Sequence, residues 1–156
     1  MNKIKEKLLN CFKKLFCFKS NIKHHYEFEE KETNQFEKEV LNTINSFRES
    51  KGLTTLVEDR KINAICERNN SRMILDGVIN HNDSVSRFNE VKEVCKCNYA
   101  SEILAYNYKD SDTVVNRWIN SPSHLKQIEY AAIKRFGISI SKGYLGSNMF
   151  TVIFSN

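Results

Sequence analysis

Histidine is the side chain most readily adapted to chemistry at neutral pH, and this sequence has four. His24 and His25 are adjacent near the N-terminus, whereas His81 and His124 stand apart from them and from each other. His81 lies in Asn80-His81-Asn82-Asp83, an irregular stretch after a helical pattern. His124 is the third residue of a helix announced by Ser121-Pro122, with serine as N-cap and proline in the first turn. The positive end of that helix dipole disfavours a protonated ring. A neutral imidazole can accept a hydrogen bond or bind a metal, which a charged one cannot. For a lone histidine a structural role is the commoner outcome, and spacing alone does not bring these two together.

The other reactive side chains are less promising. Ser121 and Ser123 lie close to His124 in sequence, but Ser121 is explained as a helix cap. No G-x-S-x-G elbow and no H-E-x-x-H pair is present. Five cysteines is an odd number, so they cannot all pair within the chain. Cys66 falls on an apolar helix face and reads as a buried free thiol. Cys95 and Cys97 are spaced more tightly than a zinc C-x-x-C and have no second pair.

The elements that must position these residues are written in the apolar spacing. Phe36, Val40, Leu41, Ile44 and Phe47 mark one face of a helix that Gly52 ends, with Leu53 packing back over the cap. A second helix begins near Asp59, carries Ile62, Ile65, Cys66 and Met73, and ends at Gly77. A third follows Ser111 with Val114, Val115 and Trp118, and a fourth follows Ser121. Phe136, Ile138 and Ile140 alternate, as do Phe150, Val152 and Phe154, predicting two half-buried strands joined through Gly143 and Gly146. Helices early and strands late predict an α+β domain with helices layered on a small sheet.

Charge divides the chain. The whole carries +5, yet residues 1–25 hold seven lysines against Glu6, so the remainder is close to neutral. A basic domain face for nucleic acid is therefore not expected. Residues 3–18 repeat Ile4, Leu8, Cys11, Phe12, Leu15 and Phe16 at helical spacing with lysines opposite, a pattern suited to an anionic membrane surface. Lys13 and Lys14 interrupt the apolar stretch, so it is a poor secretory signal. No run approaches the roughly 20 apolar residues that span a bilayer. The organisation expected is a basic amphipathic leader over 1–25, an acidic, solvated connector over 26–34 and one domain over 35–156.

Over residues 36–154 the sequence resembles the CAP superfamily, the cysteine-rich secretory proteins, antigen 5 and pathogenesis-related proteins, in its bacterial, SCP-like form. Leu41-Asn42 through Arg48 and Gly52-Leu53 resembles the family's N-x-x-R-x-x-x-G-L opening, with looser spacing. Ser101-Glu102-Ile103-Leu104-Ala105 resembles its G-E-N-L-A segment. Trp118-Ile119-Asn120-Ser121-Pro122-Ser123-His124 resembles W-x-x-S-P-G-H, the most specific match. Phe136-Gly137-Ile138 and Met149 to Phe154 resemble its closing strands. Ser101, Ile103 and Ser123 depart from the pattern, and no second glutamate follows the tryptophan.

The resemblance implies a three-layer α-β-α sandwich with a small, mainly antiparallel sheet and a central cleft that takes a lipid, a peptide or a partner protein. It implies that His81, Glu102 and His124 line that cleft. His81 and His124 would be ligands for a divalent metal such as zinc. Glu102 would be a third ligand or the acceptor that fixes one ring's tautomer. A binding module is expected rather than an enzyme. The alternatives are a metal-assisted or serine-type hydrolase of envelope peptides and a non-catalytic interaction domain tethered by its leader. Extracellular or envelope placement is implied by the family.

Overall fold

A computed structural model of the chain describes residues 30–156. The expectations for the leader, and for the connector up to residue 29, lie outside the described residues. Among the described residues five helices and four strands follow one another as α1 (Gln35–Ser50), β1 (Val57–Glu58), α2 (Arg60–Asp76), α3 (Ser84–Cys95), β2 (Ala100–Tyr106), α4 (Ser111–Ile119), α5 (Pro122–Ile128), β3 (Arg135–Lys142) and β4 (Asn148–Ser155).

In the last part of the expected connector, Glu32 and Asn34 are exposed while Lys31 and Thr33 make contacts with the domain. Thr33 is buried, and Asn34 forms a capping box with Glu37 at the start of α1. The Glu37 carboxylate, itself buried, also accepts from Lys31 Nζ and from the backbone N–H of Ile140. One side chain thus fixes the incoming chain, the helix start and β3 together. At its other end α1 closes as expected. Gly52, at φ 70°, donates to Glu49, and Leu53 donates to Arg48, the paired bonds of a Schellman motif. The asparagine that supports this opening is Asn45, not the exposed Asn42, because Asn45 exchanges hydrogen bonds with both backbone groups of Leu56.

The sheet has the order β1-β3-β4-β2, with β1 parallel to β3 and the other pairs antiparallel. Side chains alternate between its faces. Ile103, Ile138, Phe150, Val152 and Phe154 join Val40, Ile44, Val114 and Trp118 in one core under α1, α4 and α5. Ile153 joins Ile62, Ile65, Cys66 and Val91 in a second under α2 and α3. The molecule is therefore a three-layer α-β-α sandwich, as the resemblance implied. The half-buried expectation fails for β4, where all eight residues are buried. A strand between two others, with helices on both faces, has no side left for water.

Three elements escaped the sequence reading: the two-residue β1, α3 and β2. In α3 only Arg87 and Val91 are buried, and its N-cap Asp83, at φ 58°, makes no side-chain capping bond. Phe88, Val91, Val94 and Cys95 do recur at helical spacing after Asp83, a signal the sequence reading passed over. In β2 the alternation is hidden by Glu102, a charged residue in an inward position.

Candidate functional site

Glu102 lies opposite Ile153 in the sheet and faces the α2 side. Its side chain is wholly buried, which for a carboxylate demands partners. Arg87, from α3, supplies two: Nε donates to Oε2 at 2.8 Å and Nη2 to Oε1 at 2.7 Å. Asn69, from α2, donates to Oε2 at 3.3 Å. The ring of His81 approaches Oε1 through Nδ1 at 2.8 Å. A carboxylate only accepts, so Nδ1 carries the hydrogen and a neutral His81 ring keeps the Nε2 lone pair free.

The loop that holds His81 is clamped on both sides. Arg87 Nη1 donates to the Asn82 carbonyl at 2.6 Å. Arg72 reaches both the side chain and the carbonyl of Asn80, while its other bonds go to Asn69 and Asp76. Behind the carboxylate the polar contacts continue. Asn69 donates to Thr151 Oγ1, which donates to Asn70 Oδ1, and Asn70 Nδ2 bonds the carbonyls of Ser139 and Met149. A seam of amides and hydroxyls thus runs between α2 and the sheet.

His124 comes from the other flank, on α5. It is half-buried, and its Nδ1 is buried with no hydrogen-bond partner among the described residues. Burial first, then the charge on His81 and that on Arg117, holds its pKa below the usual histidine value. The neutral ring argued from the helix dipole is therefore present for another leading reason. Ser121 takes the N-cap position by its backbone alone. Its hydroxyl makes no capping bond and faces that of Ser123 at 3.3 Å.

Among the described residues no three His, Cys, Asp or Glu side chains are grouped closely enough to hold a metal ion. Both oxygens of Glu102 are already engaged by Arg87, Asn69 and His81, so of the two roles implied for it the acceptor role fits the geometry. Two of the described thiols are held in the protonated form. Burial pushes the Cys66 thiol well up, and burial followed by the charge of Asp59 pushes Cys95 up to about 12.

Two cavities accompany the site without including its three residues. One of about 170 Å³ lies beside Arg87, lined also by Arg68, Arg72 and Asn69. A larger apolar groove of about 300 Å³ lies between the end of α2 and the β3–β4 hairpin, lined by Met73, Tyr106 and Leu145 among others.

The sequence model of the cysteine-rich secretory protein family, CAP, matches residues 41–154. The chain belongs to the CAP family. Solved structures agree with this CAP fold. An outer surface protein of Borrelia burgdorferi superposes with a TM-score of 0.72 at 22% identity, covering 82% of this chain and 97% of that one. An extracellular SCP-domain protein of Bacillus anthracis gives 0.65 at 17% identity, over 76% of this chain and 39% of that one. A cysteine-rich secretory protein of Staphylococcus aureus gives 0.64 at 17% identity, over 81% and 41% respectively. This CAP domain therefore spans about two fifths of the length of the last two. A search of curated protein sequences finds no match.

The residue types of this CAP domain singled out both histidines, and the family resemblance added Glu102. Both missed Arg87, Asn69 and Arg72, which hold the glutamate and the His81 loop. The one available signal was a charged residue within an otherwise apolar strand, which requires a buried cation nearby.

Proposed function

We propose that this CAP domain is a binding module whose polar anchor is the pair of imidazoles on His81 and His124. The observation that carries the reading is the saturated Glu102 carboxylate. With Arg87 neutralising its charge, its bond to His81 Nδ1 orients the ring and leaves Nε2 free to accept or ligate. Burial holds the pKa of His124 below the usual histidine value, which favours its neutral, ligating form. Two imidazoles, one of them oriented by a second-shell carboxylate, suit a divalent metal such as zinc, held by His81 and His124 with positions open to a ligand. The ligand would be a lipid, a peptide or a segment of a partner protein in the adjoining cleft.

Binding is supported over hydrolysis by the serines. Among the described residues no serine hydroxyl is hydrogen-bonded to either imidazole, as an activated nucleophile would be. Relatives of similar fold are described as outer surface, extracellular or secretory proteins. The same placement is proposed here, with residues 3–18 resting on an anionic membrane. No described helix is long and apolar enough to cross one.

Calorimetric titration with zinc tests the anchor. One zinc per chain is expected, weakened in His81→Ala and in His124→Ala and lost in the double variant. Zinc binding that survives the double variant, or no binding by the parent, removes the metal from the reading. An unchanged ligand profile in the double variant would remove the imidazole anchor as well.

A further inference from the structure

The apolar groove between α2 and the β3–β4 hairpin takes no part in the imidazole site, and its rim is unusual. Leu145 is 95% exposed and Tyr144 is 78% exposed, side by side at the hairpin tip. Single exposed apolar residues are ordinary, but these two line one groove with the exposed Ile79 and Tyr106, over a floor of Met73 and Met149. The turn that presents them is well tied. Gly143 donates to Ser147, Gly146 donates back to Gly143 at φ 76°, and Lys142 reaches the Gly146 carbonyl. A bonded turn that pushes leucine and tyrosine outward beside a lysine has the composition of a bilayer-interface contact.

The rest of the chain supplies the matching charge. Residues 1–25 carry seven lysines and one glutamate. Lys31 is anchored to Ser139 on β3, and that strand ends at Lys142, about 10 Å further on at strand spacing. The 29 residues ahead of Glu30 reach about 40 Å even if helical throughout. The basic leader and the apolar tip can therefore engage one surface together.

We propose that the groove and its Tyr144-Leu145 tip are the face this protein lays on an anionic lipid bilayer, a second contact that orients the domain beside its leader. The proposal draws on the membrane role given to residues 3–18, and its test separates the two. Two contacts on one chain multiply, because the first raises the effective concentration of the second.

The experiment uses the full chain with vesicles of phosphatidylcholine and phosphatidylglycerol. In sedimentation, Leu145→Asp is expected to weaken partition at least about tenfold, the scale of one buried leucine. A Leu145→Trp variant, read above the buried Trp118, is expected to shift its emission to the blue when vesicles are added. If Lys13→Glu with Lys14→Glu abolishes sedimentation while Leu145→Asp leaves it unchanged, the leader reading stands and this proposal falls. If the Leu145→Trp chain sediments with no emission shift, the tip faces water and the proposal falls. A blue shift without vesicles overturns it too, in favour of a second copy if the shift grows with protein concentration, or of the chain's own leader if it does not.

Discussion

At the scale of single residues, the site depends on one neutralised carboxylate. Arg87→Ala would leave Glu102 buried with its charge uncompensated, and a loss of about 3–5 kcal/mol is expected, checked by urea unfolding. Replacing both partners with apolar residues, Arg87→Met with Glu102→Leu, should recover most of that stability while His81 loses its acceptor. His124 gives the pH dependence. Its folded pKa lies below the unfolded value near 6.5, so at acid pH the unfolded chain takes up a proton more readily than the folded one. Stability is full above pH 6.5 and is lost as pH falls below it. His124→Gln should remove that part of the decline, seen as a smaller difference between the urea midpoints at pH 7.5 and pH 5. A parent and variant that decline in parallel would show that the ring is not the cause.

At the scale of elements, what was legible in the sequence was what has a period or a cap. α1 showed both its apolar face and its glycine stop, and α2 showed Asp59 and Gly77 at its ends. α3 showed a weaker apolar period in Phe88, Val91, Val94 and Cys95, most of it only half-buried, and its buried arginine makes sense only once the carboxylate it covers is known. For the same reason His81 and His124 were visible as residue types, while Arg87, Arg72 and Asn69 looked like ordinary polar helix positions. The packing of α2 on β3 offers a test of the layer itself. A Cβ added at Gly137 would meet Ile62 Cγ2 at 2.3 Å and the Ile62 backbone carbon at 2.7 Å. Gly137→Ala should therefore cost about 1–3 kcal/mol by overpacking. Adding Ile62→Ala should rescue little, because the backbone contact remains. Full rescue would mean that α2 can move away from the sheet.

At the scale of the whole molecule, zinc offers a linkage test of the proposed anchor. A metal that binds only the folded chain stabilises it by about 2.7 kcal/mol at one hundred times its dissociation constant. Melting temperature should therefore rise with zinc in the parent and stay fixed in the His81→Ala, His124→Ala double variant.

The polar seam under α2 has a consequence for how this protein can change. Apolar helix faces can slide or be repacked with modest penalties, whereas Asn63, Asn69 and Asn70 each bond a particular group on the strands or on Glu102. A rotation or a one-turn slip of α2 would strand several buried amides at once. The seam therefore acts as a registration mark, holding α2 to a single setting against the sheet. Grafts that exchange α4 or α5 with those of a related domain meet a mostly apolar face and should be accepted, whereas α1 is tied to its neighbours by the buried Glu37 and Arg48. A graft of α2 should succeed only when β3 and β4 travel with it.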